Sequence, residues 1–170
     1  MRLLRPGSAA YRGARARRYA GGLRLPALRS VDGRADWTAV AVSVEDNKRL
    51  VARAVTEVIN RGNLAAVEEL YASEIAAAAR EWVAPFRTAF PDVRMETVAL
   101  VGEGDTVVGH FRCSGTHTGP WMGRPGTGRA FRDVREVYWF TVRGGRIVDW
   151  WGLEDNDDRR CQLRAGGAPA

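Results

Sequence analysis

Glu136, Tyr138, His117 and Asp149 are the side chains of this sequence best suited to move a proton. Burial among apolar groups raises a carboxyl pKa towards neutrality, a phenol can donate to a carbonyl or enolate oxygen, and an imidazole titrates near pH 7. Two of the four lie in the alternating run R-D-V-R-E-V-Y-W-F-T-V-R at 132–143, and Asp149 lies in R-I-V-D-W-W at 146–151. Gly144-Gly145 separates the runs, and glycine takes the positive φ that a tight hairpin turn requires. Counting out from that turn pairs Val142 with Ile147, Phe140 with Asp149, Tyr138 with Trp151 and Glu136 with Leu153. Side chains alternate faces along a strand. One face then carries Glu136, Tyr138, Phe140, Val142, Ile147, Asp149 and Trp151, the makings of a pocket wall or of a half-buried sheet edge.

Each candidate has a plainer alternative. Glu136 reads as a general acid/base or as a rim carboxylate paired with Arg132 or Arg135. Asp149 orients a base or bridges the hairpin to a helix. His117, within G-T-H-T-G, transfers protons or ties down its loop, and Tyr138 polarises a substrate oxygen or merely satisfies its own hydroxyl. Trp82, Phe86, Trp121, Met122, Phe140 and Trp151 are candidates to shape an aromatic substrate pocket, with core packing as the alternative.

Other chemistries lack their residues. Two histidines without a second ligand cluster argue against a metal site. The sequence has no G-x-S-x-G, no phosphate-cradling glycine loop and no CxxC, which disfavours serine hydrolysis, nucleotide binding and dithiol redox work. Cys113 and Cys161 read as free thiols of a reducing cytoplasm, a disulfide being the alternative. No run of about 18 apolar residues would make a transmembrane helix.

These groups must be positioned by the rest of the chain. Ser43 is a plausible N-cap, and Leu50, Val51, Ala54, Val55, Val58 and Ile59 form an apolar stripe that ends at Arg61-Gly62-Asn63. A short helix with Val67, Leu70 and Tyr71 follows. A third spans about 75–90, with Ala79, Trp82, Val83, Phe86 and Phe90 on one face and Pro85 predicting a kink. After Pro91 the period falls to two, and strands are expected at 93–101, 106–115, 129–143 and 146–153. Three helices followed by four strands indicate an α+β domain, with helices packed on one face of an antiparallel sheet.

The net charge of +6 is concentrated at one end. Residues 1–40 hold nine of the 26 basic residues and two of the 20 acids, which leaves 17 basic against 18 acidic elsewhere. The folded part thus makes no electrostatic case for nucleic acid. The organisation expected is a basic, disordered extension over 1–42 (or a start assigned too far upstream), a domain over 43–156, and a flexible tail over 157–170.

The chain resembles the SnoaL-like polyketide cyclase family of the nuclear transport factor 2-like, cystatin-like cone superfamily. The resemblance is carried by N-K-R-L-V and N-R-G-N-L near the start, A-F-P-D at 89–92, G-T-H-T-G at 115–119, G-T-G-R at 126–129, and G-G-R-I-V-D-W-W with Asp155-Asn156. It implies a curved sheet and helices around a conical cavity, a homodimer formed through the sheet, and cofactor-free chemistry on a small hydrophobic carbonyl compound in the cytoplasm. In founding members an acid on the long strand before the hairpin drives an aldol ring closure, while other branches isomerise or only bind. The sequence departs from the pattern twice. The segment after the second helix is short and lacks its histidine, and Tyr138 falls where the acid is usual, with Glu136 two residues earlier on the same face. Proton-transfer enzyme, non-catalytic binding module and scaffold with a filled cone are therefore the readings that the structure must separate.

Overall fold

The computed structural model describes residues 43–164. The extension expected over 1–42 and the last six residues lie outside them. Helix α1 (Val44–Ala54) starts from a capping box, in which Asp46 N–H donates to Ser43 Oγ at 3.1 Å and Ser43 N–H donates to the Asp46 carboxylate at 3.2 Å. It continues as a wider π-helical stretch, Val55–Asn60. The amphipathic stripe foresaw one helix to Arg61 but not that change of pitch. Asn60 explains why the end is held: its side-chain amide donates to Met95 O at 3.0 Å and accepts from Met95 N–H at 2.7 Å, as a paired strand would.

A 3₁₀ turn (Leu64–Ala66) leads into α2 (Val67–Leu70), and α3 spans Ser73–Ala89. The α3 helix passes through Pro85 as one helical element. Four strands follow, β1 (Arg94–Glu103), β2 (Thr106–Thr116), β3 (Ala130–Arg143) and β4 (Arg146–Glu154), in one antiparallel sheet of order β1-β2-β3-β4. The hairpin is as expected, with Gly144 and Gly145 at φ 56° and 70°.

The register of that hairpin is not as expected. Val142 pairs with Ile147, but a bulge at Val148 then sets Thr141 opposite Asp149, Phe140 opposite Trp150, Trp139 opposite Trp151, Tyr138 opposite Gly152 and Glu136 opposite Glu154. One extra residue moves every later side chain to the other face. Asp149 and Trp151 consequently join Trp139 and Thr141 on the outer face, where the Trp139 and Trp151 rings stack at 4.1 Å. Contrary to the expected register, neither faces the cone.

The inner face of the sheet (Val107, Phe111, Tyr138, Phe140, Val142, Ile147, Trp150) packs on α1, its π-helical extension and α3 to form the main core. A second cluster gathers Ala89, Phe90, Val93, Cys113, Phe131, Val134 and Leu163. Residues 157–164 are no flexible tail, because Asn156–Arg164 forms helix α4 and buries Asn156, Arg159 and Leu163 against β3.

Candidate active site

Glu136 is buried to 1% exposure on the inner face of β3, so it is not a rim carboxylate and pairs with neither Arg132 nor Arg135. Its partner comes from α4: Arg159, fully buried, donates from Nη2 to Glu136 Oε1. The other guanidinium branch donates to Glu154 Oε2 at 3.0 Å and to the Asn156 side-chain carbonyl. Glu154 closes the network by accepting from Tyr138 Oη at 2.7 Å and from Asn156 Nδ2 at 3.3 Å. Phe86, Trp121 and Phe131 surround the guanidinium, with ring centres 5.1, 5.6 and 4.9 Å from its carbon. Such cation–π contacts strengthen in a desolvated setting.

Electrostatics follow from this burial. Desolvation pushes Glu136 up to about 7, and Glu154 adds to it, against the pull of Arg159. Burial alone would drive Arg159 towards neutrality, but the two carboxylates outweigh it and hold the guanidinium charged. Burial, then Glu136 and Glu154, raise Tyr138 well above the ordinary phenol range and keep it a protonated donor. The thiol of Cys113, beside Glu136, is likewise raised, first by burial. Two carboxylates share one guanidinium, and Glu136, the more deeply buried, is the one that burial lets carry a proton near neutrality.

Tyr138 reaches the cone through a glycine. Gly152 lies directly across the ladder, and a Cβ there would stand 2.1 Å from Tyr138 Cδ1, so the ring lies flat where a side chain would be. Its other side meets Trp82 edge-on at 5.7 Å. Tyr138, Trp82 and Phe140, three of the predicted residues, line one chamber with Ala54, Val55, Ile59, Tyr71, Met95 and Trp150. Its volume is only about 20 Å³, room for about one water. Phe86 does not line it but packs on Phe90 and Arg159.

His117 lies elsewhere, lining a cavity of about 360 Å³ with Trp121, Met122 and residues of α4. The ring is 2% exposed and packs against Phe90 and Trp121. Its backbone is stapled: N–H donates to Arg129 O, and its carbonyl accepts from Thr127 and Gly128. His117 therefore does not converge with Glu136 on one closed cavity. Arg159 and Glu154 are not evident from the sequence, and Asn156 stood there only as part of a family motif; the signal for Arg159 is D-N-D-D-R-R, in which Asp155 accepts from Asp158 N–H at 2.9 Å as a helix cap does. Among the described residues no group of three or more His, Cys, Asp or Glu is placed to hold a metal, and Cys113 and Cys161 are unbridged. No helix of the described residues is long and apolar enough to cross a membrane.

A cone of this kind, with a buried carboxylate and phenol on its inner wall, is an α+β fold of the nuclear transport factor 2-like class. The SnoaL-like polyketide cyclase profile matches residues 49–163, and the chain belongs to that family. Solved structures agree on the fold. AclR from Streptomyces galilaeus, a proposed hydroxylase, superposes with a TM-score of 0.65 at 22% identity over 75% of this chain and 87% of its own. A proposed SnoaL-like polyketide cyclase from Jannaschia sp. CCS1 gives 0.67 at 20% identity over 81% of this chain and 100% of its own. IdmH from Streptomyces antibioticus, a proposed polyketide cyclase, gives 0.57 at 26% identity over 69% and 97%. No curated protein matches the chain.

Proposed function

We propose that this protein is a cofactor-independent catalyst of proton transfer on a hydrophobic carbonyl compound, of the aldol-closing or isomerising type. The observation that carries the reading is the hydrogen-bonded chain from Tyr138 through Glu154 and Arg159 to Glu136, with the phenol at the wall of the apolar chamber. On binding, Tyr138 turns its single O–H from Glu154 to the carbonyl oxygen and stabilises the enolate as charge develops there. Glu136, poised near neutrality by burial, takes up or returns the proton that the reaction moves. His117 would not take part, because it lies outside the network that joins Tyr138 to Glu136 and lines a different cavity. Trp82 and Phe140 supply the apolar wall, and substrate entry requires the chamber to widen from its present 20 Å³.

Carbon-acid exchange tests this without knowledge of the substrate. Bulky β-diketones and β-keto esters in D₂O should exchange their acidic C–H faster with the protein, and Glu136→Gln and Tyr138→Phe should each abolish the gain. Exchange at the uncatalysed rate, or a gain that both variants keep, sinks the proposal. The second reading, a non-catalytic small-molecule binding module, is favoured by one observation: Arg159 already satisfies Glu136 inside a nearly filled cone. A pure scaffold accounts for the filled chamber but not for the larger cavity beneath α4.

We further propose a homodimer through the outer face of the sheet. That face presents the stacked Trp139 and Trp151 and, in register with them, the exposed Val101, a partly apolar surface of the sort that self-association covers.

A further inference from the structure

We infer that the cavity beneath α4 is a binding site for an organic anion, a carboxylate or phosphate carried on a flat apolar body. The guanidinium-bearing residues Arg124, Arg160 and Arg164 line it, and the single acid among the described residues on its wall, Asp157, is already bonded by Arg160. Three of the 17 basic residues outside the N-terminal 40 thus meet at one concavity, in a domain whose own charge is slightly negative. A concave surface concentrates such a field. The volume of about 360 Å³ falls in the range of small-molecule sites.

Two further observations point to a ligand. His117 lines the cavity, its Nδ1 stands 3.3 Å from Thr127 Oγ1, and its buried Nε2 has no partner among the described residues. A buried ring nitrogen left unpaired is costly unless something visits it. Where the Thr127 hydroxyl donates to Nδ1, Nε2 carries the proton, and because it lies just under the cavity's present surface a small shift of the wall would let it donate to an anion.

The second is the lip. Trp121 and Arg124 exchange backbone hydrogen bonds of 2.9 and 3.0 Å across a two-residue turn whose central residues, Met122 and Gly123, sit at φ 48° and 75°. Such turns prefer Asn or Asp followed by Gly. A methionine held there is strained, and its side chain remains 49% exposed. Strain spent to present an apolar side chain beside Trp121 suits a surface that closes over a ring.

Calorimetry with three probes of one shape tests the inference: 2-naphthoate, 2-naphthyl phosphate and the neutral 2-naphthamide. Either anion should bind saturably and at least about tenfold more tightly than the amide, with the affinity falling several-fold as salt screens the arginines. The better of the two anions identifies the head group. The double variant R124E/R164E, whose side chains are exposed, should lose about tenfold or more with an unchanged melting point, and R124Q should lose less. Met122→Gly, which relieves the turn, should fold normally and bind every probe more weakly. Glu136→Gln should bind naphthoate like the parent, so failure of the catalytic proposal leaves this one standing. Equal binding of anion and amide, no saturable binding by either anion, or an unaffected charge-reversal variant would overturn it.

Discussion

The chamber inside the cone and the cavity beneath α4 are built from opposite materials. The chamber is walled by aliphatic and aromatic side chains with no charged residue among them, and holds about 20 Å³. The cavity beneath α4 holds about 360 Å³ and is walled by arginines, an aspartate and a histidine beside Trp121 and Met122. Arg159 stands between them: its guanidinium lies on the Trp121 ring of one and is bonded through Glu154 to the Tyr138 hydroxyl of the other. An apolar chamber tends to collapse on itself when empty, because closing it recovers dispersion contacts. A cavity walled by like charges does not, because closing it would drive guanidinium groups together. The difference teaches that chemistry and volume are separated here by one ion-pair network.

Removing that partition should have the largest effect. Arg159→Ala leaves Glu136 and Glu154 buried without their shared cation, and breaking a buried pair of this kind costs about 3–5 kcal/mol. Denaturant unfolding should record the loss, and lowering the pH should recover part of it as the carboxyls take up protons. A loss under about 1 kcal/mol would mean that the two cavities are not joined through this residue in the way described.

Next in size is the catalytic split. General acid–base groups contribute about 10²–10⁴-fold, so Glu136→Gln and Tyr138→Phe should each slow carbon-acid exchange by about 100-fold or more, whereas His117→Gln should leave it nearly unchanged. Equal losses at all three positions would merge the two cavities into one functional site. The same acid gives a pH signature. The folded-state pKa of Glu136, about 7, lies above its unfolded value, so the native protein holds the proton longer. Its contribution is therefore fully present below the unfolded carboxyl range and is lost as pH rises through about 7. Melting curves should decline across that window in the parent, and Glu136→Gln should flatten the slope.

How much of this was legible beforehand depended on what left a mark in the sequence. The hairpin, the helices and the inward face of β3 announced themselves by period and by Gly144-Gly145, so Glu136, Tyr138 and Phe140 were placed correctly. Asp149 and Trp151 were not, because the bulge at Val148 carries no glycine or polar residue to betray it, and one unpaired residue reverses a face. Arg159 was invisible for another reason. A tail reading D-D-R-R-C-Q-L-R has no apolar stripe to bury, and its helix is held by a charge that two carboxylates, Glu136 buried and Glu154 partly so, demand. Periodicity registers hydrophobic burial and is blind to buried ion pairs. His117 was visible as a residue, but that it and Glu136 belong to different cavities is a fact of tertiary packing alone.

A smaller effect is expected at Gly152. Its missing side chain gives the Tyr138 ring its seat, so Gly152→Ala should displace the phenol at a cost of about 1–3 kcal/mol. Exchange activity should fall with it, while naphthoate binding beneath α4 should not change. Coupled losses in both assays would show the partition to be softer than the network suggests.

The smallest change in fold stability is expected on the outer face. Val101 is 68% exposed, and an exposed substitution away from special features usually shifts stability by no more than about 0.5 kcal/mol. Val101→Glu should therefore leave the melting point of the isolated chain almost unmoved. Yet across a twofold axis the same residue can appear twice in one interface, so a single change there sets two like charges within one contact. Sedimentation velocity should then show the parent as a dimer at micromolar concentration and the variant shifted to monomer. If the parent sediments as a monomer, or the variant keeps the parent's distribution, the stacked Trp139 and Trp151 are simply the outer skin of the sheet. Both cavities would then have to be understood within one chain. If the dimer does dissociate while carbon-acid exchange and anion binding persist, the sheet face serves assembly and each protomer carries the full pair of sites.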